Sequence, residues 1–293
     1  MMEKTLEELF RQGKDSLERA EIQEAMLDAW LLLEYVTGKN RAYYFAHQEE
    51  KVPENMVCIY EDMIRRRSGH IPLQHLTHQA FFMGHEFYVD ENVLIPRQDT
   101  EVLVEEALNI LKNKENPLIL DMCTGSGCIL ISLLLEIAGA RGCGADLSEK
   151  ALHVAEINSE KLHTKDRAFF VKSDLFSALA SACESKKIKP VFDVIISNPP
   201  YIPSGEIDTL MEEVRLHDPY MALDGREDGL FFYRAITKEA MKHMTHAGWL
   251  LYETGSSQGK DVKAIMEQAG FINIQVRQDL AELDRVVMGQ KPF

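Results

Sequence analysis

The sequence lacks the two signals that would direct a chain to or across a membrane. No stretch of about 18 consecutive apolar residues is present, so we predict no transmembrane helix. No basic segment followed by an apolar one stands at the start of the chain, so we predict no signal peptide. We therefore expect a cytoplasmic protein.

The cysteines lack the paired spacing of a zinc site or a disulfide framework. They are odd in number and scattered, and no CxxC pair occurs among Cys58, Cys123, Cys128, Cys143 and Cys183. We expect them to be reduced, small apolar side chains, and we predict no metal site.

Positive charge is in short supply. The chain has 32 Lys and Arg against 47 Asp and Glu, a net charge of -15. Binding to nucleic acid mainly through the phosphates needs clustered Lys and Arg, so this balance disfavours that mode and predicts no direct DNA binding. With 293 residues, of which 45% are hydrophobic, the chain fits a globular protein of two domains, or one large domain with an appendage.

Residues 1–78 have the periodicity of a small helical bundle. Apolar residues recur at helical spacing near Leu6, again from Ala25 to Val36, and in a third helix from about Pro53 to Arg67. No catalytic group is visible there, which favours packing or partner docking. In residues 79–95, short aromatic runs around Gly84 predict a β-hairpin that links this part to the remainder, residues 96–293.

A strand, a glycine turn and a helix follow at residues 118–137. This arrangement aims backbone N–H groups and a helix N-terminus at a ligand. Leu130 occupies the place of the third glycine in a dinucleotide fingerprint, and Asp121 ends the strand. A carboxylate there would repel a pyrophosphate but suits an amino group and a sulfonium, so we predict S-adenosylmethionine rather than NAD.

The next two strands also end in acidic residues. Asp146 follows the strand Gly142 to Ala145, where a carboxylate can accept from both hydroxyls of a ribose. Asp174 follows the strand Ala168 to Val171 and is predicted to take an adenine amino group, with Leu175 on the ring. The alternative for Asp174, nearly as well supported, is a plain helix cap.

The fourth strand, residues 191–197, ends at Asn198, Pro199, Pro200 and Tyr201. The Asn198 side-chain oxygen and the Pro199 carbonyl are both acceptors, and together they can hold both hydrogens of one NH2 group. Holding those hydrogens makes the nitrogen more nucleophilic as positive charge develops, while Tyr201 can stack on a flat group. Asn-Pro-Pro alone is more often a strand followed by a turn.

Other segments complete the predicted site and sheet. Asp99 or Thr100 is expected to cap a helix to about Lys112, and Arg97 and Glu101 either form its entry turn or line the active site. A long polar segment, residues 202–228, is expected to be a lid or substrate channel. Strands at residues 271–276 and 286–288 should form an antiparallel edge pair.

Four motifs resemble those of the protein-(glutamine-N5) methyltransferases of peptide-chain release factors, the PrmC or HemK family. They are Ile95-Pro96-Arg97-Gln98-Asp99-Thr100-Glu101, Asp121-Met122-Cys123-Thr124-Gly125-Ser126-Gly127, Asn198-Pro199-Pro200-Tyr201 and Asp284-Arg285-Val286-Val287. The resemblance covers almost the whole chain. It implies a helical domain that docks the release factor, a hairpin linker and a Rossmann-like class I methyltransferase domain.

The resemblance also implies the roles of individual residues. Cofactor contacts fall to Cys123, Thr124, Gly125, Ser126, Gly127, Asp146 and Leu175. Asn198 to Tyr201 would hold the glutamine of a Gly-Gly-Gln loop. The chain departs from the family at Asp218, Arg226 and Leu175, where Glu, Gly and an aromatic residue are common.

The implied reaction is methyl transfer from S-adenosyl-L-methionine to the glutamine side-chain nitrogen. Alternatives that stay open are methylation of a ribosomal-protein glutamine, N6-methylation of adenine in nucleic acid, and a non-catalytic adaptor that binds the cofactor. The intact Asn-Pro-Pro-Tyr motif disfavours the adaptor, and the acidic balance disfavours nucleic acid.

Overall fold

A computed structural model of the chain describes residues 4–293, which form two compact units. The helical unit is Met1–Gln79 with Met211–His217, and the sheet unit is Ala80–Leu210 with Asp218–Phe293. The first segment ends within one residue of the predicted helical domain, 1–78, whose residues 1–3 lie outside the described part. The hairpin, predicted as a separate linker at 79–95, clusters with the sheet unit. The inclusion of 211–217 in the helical unit was not predicted.

Helices form the first part of the chain, and strands and helices follow one another after it. The α-helices are α1 (Leu6–Arg19), α2 (Ala25–Thr37), α3 (Arg41–Ala46), α4 (Glu54–Arg67), α5 (Leu73–Thr77), α6 (Glu101–Leu111), α7 (Cys128–Glu136), α8 (Glu149–Lys161), α9 (Leu179–Ser185), α10 (Glu212–His217), α11 (Tyr220–Leu223), α12 (Phe231–Ala240) and α13 (Gly259–Gln268). The strands are β1 (Ala80–Phe82), β2 (His85–Phe87), β3 (Leu118–Met122), β4 (Arg141–Asp146), β5 (Ala168–Lys172), β6 (Phe192–Ser197), β7 (Met244–Glu253), β8 (Ile272–Gln278) and β9 (Asp284–Gln290).

The helical unit is built from α1 to α5 and α10. A capping box starts α1, because the Thr5 hydroxyl accepts from the Glu8 N–H while the Glu8 carboxylate accepts from the Thr5 N–H. Gly38, with φ of 67°, ends α2 in the left-handed conformation that glycine adopts readily. Helix α4 packs so closely against α1 that a Cβ at Gly13 would collide with the Tyr60 hydroxyl.

A buried ion-pair cluster holds α10 on the helical unit. Arg67, at the end of α4, donates to Asp28 of α2 at 2.7 Å and to Glu213 of α10 at 2.8 Å. Its side chain is only 7% exposed. Burial raises the pKa of Asp28 while the Arg67 guanidinium opposes that shift. A buried charge without its partner lowers the free energy of unfolding, so replacing any one of these three side chains is expected to destabilise the helical unit.

The sheet unit is a seven-stranded mixed sheet of order β5-β4-β3-β6-β7-β9-β8. Strand β9 pairs antiparallel with both β7 and β8, while β3 to β7 pair in parallel. The predicted antiparallel pairing of the last two strands is confirmed. The pair stands at one edge of the sheet, as predicted, with β8 outermost and the buried Val286 and Val287 of β9 between two neighbouring strands.

Helices cover both faces of this sheet. Side chains alternate along each strand, so Ile119 joins the core formed with α6 and α7, and Leu120 joins the core formed with α12 and α13. Strands buried on both faces read as continuous apolar runs, which is why β3 and β6 were predictable from sequence. The predicted class I methyltransferase architecture is confirmed.

Three regions differ from the sequence predictions. Helix α9 was not predicted, and the segment predicted as a long polar loop, 202–228, contains the 3-10 helix Ser204–Thr209 together with α10 and α11. Neither Asp99 nor Thr100 caps α6 through its side chain; a 3-10 turn, Gln98–Thr100, leads directly into that helix.

The hairpin β1–β2 forms as predicted, with Met83 and Gly84 at φ of 51° and 75° in its two-residue turn. Among residues 4–293, no helix is long and apolar enough to cross a membrane. The same residues contain no group of three or more His, Cys, Asp or Glu placed to hold a metal ion.

Candidate functional site

A cavity lies where the central strands of the sheet unit end. Parallel strands β3, β4 and β6 bring their carboxyl ends to one edge, as predicted from their terminal residues. The predicted site residues that line it are Arg97, Cys123, Thr124, Gly125, Ser126, Asp146, Asp174, Leu175, Asn198 and Pro200. The predicted site residues outside its lining are Glu101, Asp121, Gly127, Pro199 and Tyr201.

The glycine turn after β3 is held in a left-handed backbone conformation. Cys123, Gly125 and Gly127 have φ of 61°, 54° and 79°. A Cβ at Gly127 would lie 3.0 Å from Ile131 and 3.1 Å from Ala155, so glycine is required for helix α7 to start there. The turn presents its backbone and the N-terminus of α7 to the cavity, the arrangement expected of a site for a polar ligand.

Asp121 is not among the residues that line the cavity, and its predicted contact with the ligand stays a prediction. It is fully buried, and its Oδ2 accepts from the Thr124 hydroxyl at 2.6 Å and from the Leu130 N–H at 3.3 Å. Burial raises the pKa of Asp121 to about 7. The pleat of β3 turns this side chain under the glycine turn, so Asp121 supports the turn from below.

Asp146 closes the turn from the neighbouring strand. Its Oδ2 accepts from the Gly125 N–H and its Oδ1 from the Ser148 N–H, each at 2.9 Å. Burial raises the pKa of Asp146, and the two backbone donors oppose the rise. The carboxylate lines the cavity beside the turn, where a ligand with adjacent hydroxyls can reach its remaining lone pairs.

Asp174 and Leu175 form the wall contributed by the end of β5. Asp174 is exposed and caps no helix, because the first helix after it, α9, starts only at Leu179. Ser173 stabilises this loop instead: its hydroxyl donates to the Leu175 carbonyl at 2.5 Å and accepts from the Ala178 N–H at 3.0 Å. Leu175 has a positive φ of 49° and turns into the cavity wall.

Asn198 ends β6 on the opposite side of the glycine turn. The Ser197 hydroxyl just before it donates to the Met122 carbonyl at 2.6 Å, which locks the ends of β6 and β3 together. The Asn198 Nδ2 lies 3.5 Å from the Thr100 hydroxyl. Pro199 is buried beside Asn198, and the Asn198 side chain and Pro200 line the cavity.

Tyr201 packs behind the cavity wall. Burial raises the pKa of its hydroxyl to about 12, so the phenol stays neutral near pH 7. Its backbone carbonyl accepts from the Gln258 Nε2 at 2.9 Å. Gly225 approaches the Tyr201 backbone closely, since a Cβ there would lie 2.8 Å from the Tyr201 Cα. These contacts fix the backbone that follows Asn198, while the predicted stacking by Tyr201 stays a prediction.

Two residues of the motif at 95–101 have different roles. Arg97 lines the cavity and pairs with the buried Asp218 at 3.0 Å, which holds the segment following α10. Glu101 accepts from the Met83 N–H at 2.7 Å and thereby anchors the hairpin turn. The position of Glu101 matches the structural alternative rather than the active-site one.

Sequence reasoning missed several residues that build this cavity. Asn158, fully buried on α8, accepts from the Tyr88 N–H at 2.7 Å and donates to the Tyr88 and Ser126 carbonyls at 2.9 Å. It thereby joins the segment after the hairpin to the glycine turn. A polar residue on the largely apolar inner face of α8 was the available signal. The missed lining residues include Ile95, Ile129, Leu147, Met221 and Phe232.

The cavity fits an adenosyl group bearing a sulfonium. Its lining is largely apolar, which suits a purine ring and a methylene chain, and Asp146 supplies the acceptor that a ribose needs. Backbone N–H groups and a helix N-terminus complete one side. On the other side, Asn198 adds an acceptor for an NH2 group, so the arrangement suits transfer of a small group between two ligands.

The chain matches two family descriptions. Residues 8–77 match the PrmC N-terminal domain, and residues 98–218 match the methyltransferase small domain.

Curated relatives match over most of their length. A release factor glutamine methyltransferase of Clostridium acetobutylicum is 38% identical over 263 residues, which are 90% of each chain. Another of the same description, from Caulobacter vibrioides, is 35% identical over 287 residues, covering 98% of this chain and 96% of that one. Among solved structures, the hMettl16 catalytic domain in complex with MAT2A 3'UTR hairpin 6 matches with a TM-score of 0.56 at 12% identity. That match covers 86% of each chain and, at this identity, bears on the fold alone.

Proposed function

Because this chain belongs to the family of release factor glutamine methyltransferases, we propose that the cavity of its sheet unit holds the methyl donor and the accepting glutamine side by side. The chain is an S-adenosylmethionine-dependent protein-glutamine methyltransferase that acts on release factors. The observation that carries the site assignment is the placement of Asn198 and Asp146 on one cavity, on either side of the glycine turn.

We infer that the accepting atom is the side-chain nitrogen, N5, of the glutamine in a Gly-Gly-Gln motif. An amide nitrogen is a poor nucleophile because its lone pair is spread into the carbonyl. The Asn198 Oδ1 and the Pro199 carbonyl can accept its two hydrogens, which favours the positive charge that develops as the new N–C bond forms. The bond between the methyl carbon and sulfur would break at the same time, S-adenosylhomocysteine would be the leaving group, and one proton of the amide nitrogen would be lost to solvent late in or after the transfer. Asn198 orients and polarises; an amide cannot take up a proton near neutral pH.

The cofactor end of the cavity is assigned to Asp146, Leu175 and the glycine turn. When bound, S-adenosylmethionine supplies an electrophilic methyl group on a sulfonium. Asp146 would accept from the ribose hydroxyls, Leu175 would cover the adenine ring, and Asp174 would lie near the adenine amino group. The residues thus position two partners in line, and positioning is the larger part of the expected rate enhancement.

The helical unit is proposed to dock the release factor outside its glutamine loop. Its residues 8–77 match the PrmC N-terminal domain, and none of its described residues lines the cavity of the sheet unit. A substrate that works in translation also supports the predicted cytoplasmic location. No part of this proposal requires binding to DNA.

Methyl transfer from labelled S-adenosylmethionine to purified release factor tests the assignment. We expect Asn198→Ala to lower the single-turnover rate by roughly a hundredfold or more, by analogy with loss of one polarising donor. Binding of S-adenosylhomocysteine, measured by calorimetry, should stay close to that of the wild type. Asp166→Asn, on an exposed turn outside the cavity lining, is the control and should react normally.

The outcomes also separate the alternatives. Incorporation of label into a release factor whose motif glutamine is replaced would contradict the N5 assignment. Preferential methylation of a ribosomal protein or of adenine in nucleic acid would support the other substrates. An Asn198→Ala enzyme with the wild-type rate would refute the role of Asn198.

A further inference from the structure

A buried carboxylate lies beside the proposed catalytic amide. Strands β6 and β7 pair in parallel with Ser197 opposite Tyr252, so the next residues, Asn198 and Glu253, are neighbours at the sheet edge. Glu253 is only 2% exposed, and its Oε2 has no hydrogen-bond partner among the described residues. A carboxylate with an unused buried oxygen is costly, which suggests a task beyond stability.

The groups around Glu253 determine which way the Asn198 amide points. The side chains of Thr100 and Asn198 lie near the Glu253 carboxylate, and both favour its charged form. A carboxylate only accepts, so the Thr100 hydroxyl gives its single hydrogen to Glu253 and keeps its lone pairs for Asn198, 3.5 Å away. Both neighbours therefore offer acceptors to the Asn198 NH2.

A planar amide that turns its NH2 towards two acceptors must turn its oxygen away from them. Asn198 lines the cavity, so the free direction for Oδ1 is the cavity itself. We propose that Glu253 is a positioning residue for methyl transfer, whose carboxylate fixes Asn198 with its oxygen, not its NH2, towards the accepting nitrogen. This inference rests on the proposed role of Asn198.

Arg285, of the Asp284-Arg285-Val286-Val287 motif, lies near Glu253 and stabilises its charge. The Arg285 side chain is 11% exposed and pairs with Asp99 at 3.1 Å and Asp279 at 3.0 Å. Its charge also attracts Glu253 and favours the carboxylate form. The Asp99 and Asp279 carboxylates thus hold the Arg285 guanidinium in place near the Glu253 carboxylate.

Protonation of Glu253 would remove the constraint. Burial raises the pKa of Glu253 to about 7, against the opposing effects of Thr100 and Arg285. The protonated acid donates, so the Asn198 oxygen can turn to accept from it and present the NH2 to the cavity. The NH2 would then repel the hydrogens of the accepting amide, so turnover should fall as pH falls through this range.

Several ionisable groups lie near Glu253. Arg285 is a guanidinium held by two carboxylates. Burial raises the pKa of the Tyr201 hydroxyl and of the Cys128 thiol to about 12, and that of the Tyr233 hydroxyl well above its ordinary value. Burial also raises the pKa of Asp121, beneath the glycine turn, to about 7. The part of the acidic fall in rate that Glu253→Gln abolishes is therefore the part assigned to Glu253.

The test compares wild-type enzyme with Glu253→Gln, which keeps the size of the side chain and can donate. Single-turnover rates with purified release factor at saturating S-adenosylmethionine are measured from about pH 6 to about pH 9. We expect Glu253→Gln to be slower by about tenfold to a hundredfold at high pH, as for a misplaced reacting group, and to lose the acidic fall in rate. Glu106→Gln, a half-buried residue paired with Arg277 outside the cavity, is the matched control.

Further measurements separate positioning from a structural role. The melting temperature and the affinity for S-adenosylhomocysteine should change little in Glu253→Gln, and in an Asn198→Ala background the substitution should have no further effect on rate. Glu253→Asp, which retains a carboxylate, should retain the acidic fall in rate. A wild-type rate and pH profile in Glu253→Gln would overturn the inference, as would equal losses of rate and cofactor affinity.

The two proposals fail in different ways. A slow Asn198→Ala enzyme together with an unaffected Glu253→Gln enzyme would remove the role of Glu253 and leave that of Asn198. A wild-type rate in Asn198→Ala would remove both.

Discussion

The buried Asp121 should make the stability of the sheet unit fall as pH rises. Its pKa is raised from 3.8 to about 7 in the folded protein by burial, whereas the unfolded chain releases the proton near 3.8. Between these values the folded state binds more protons than the unfolded state, so the free energy of unfolding decreases with pH. A difference of about 3 pKa units corresponds to about 4 kcal/mol, of which about 3 kcal/mol falls between about pH 5 and about pH 8.

The Asp121→Asn variant isolates this contribution. Its amide oxygen can still accept from Thr124 and Leu130, while the NH2 group takes the place of the Oδ1 atom that has no hydrogen-bond partner among residues 4–293. The amide side chain of the variant does not titrate, so this position no longer contributes to the pH dependence of stability. We therefore expect the stability of the wild type relative to the variant to fall by about 3 kcal/mol over that pH range.

Urea unfolding without cofactor measures the effect. The chain has two tryptophans, Trp30 in the helical unit and Trp249 in β7, so a Trp30→Phe background makes fluorescence report on the sheet unit alone. Asp166→Asn, on an exposed turn, is the control and should follow the wild type. A difference between wild type and Asp121→Asn that stays constant from about pH 5 to about pH 8 would refute this role of Asp121.

Two further substitutions test the walls of the cavity. Asp146→Ala should weaken S-adenosylhomocysteine binding by about tenfold or more. The substitution removes the proposed ribose acceptor and leaves the Gly125 and Ser148 N–H groups without the carboxylate that accepts from them. Unchanged affinity by calorimetry would count against the ribose role. Asn158→Ala should lower the free energy of unfolding by about 2–4 kcal/mol, since it removes three hydrogen bonds that join α8 to the backbone of Tyr88 and Ser126. A loss below about 1 kcal/mol in urea unfolding would contradict the structural role.

The sheet was predictable wherever one strand carries its own signal. Strands buried on both faces are short runs of β-branched and apolar residues, and the terminal residues Asp146 and Asn198 mark where they leave the sheet. Strand order carries no such local signal. Strand β9 inserts between β7 and β8, a long-range pairing that the short polar link to β8 does not indicate.

The sequence predicts which strand ends meet at the site. It predicts less well which side chains face the ligand. Asp121 lies one residue before the end of β3 and beneath the glycine turn, whereas Asp146 ends β4 and lies beside the cavity. Asp121 pairs with Gly144, two positions before Asp146, and a sequence pattern does not reveal this offset. Glu253 was missed because it looked like the last residue of an ordinary strand.

Because Met211–His217 belongs to the helical unit, it determines how the two units can be expressed separately or exchanged between relatives. The chain passes from one unit to the other at three places, after residues 79, 210 and 217. A chimaera that takes its helical unit from a relative must therefore also take the short insert, or Arg67 and Glu213 will come from different parents. A fragment beginning at residue 80 would carry Glu213 without its cation, so independent expression of the two units calls for deleting or grafting that insert as well.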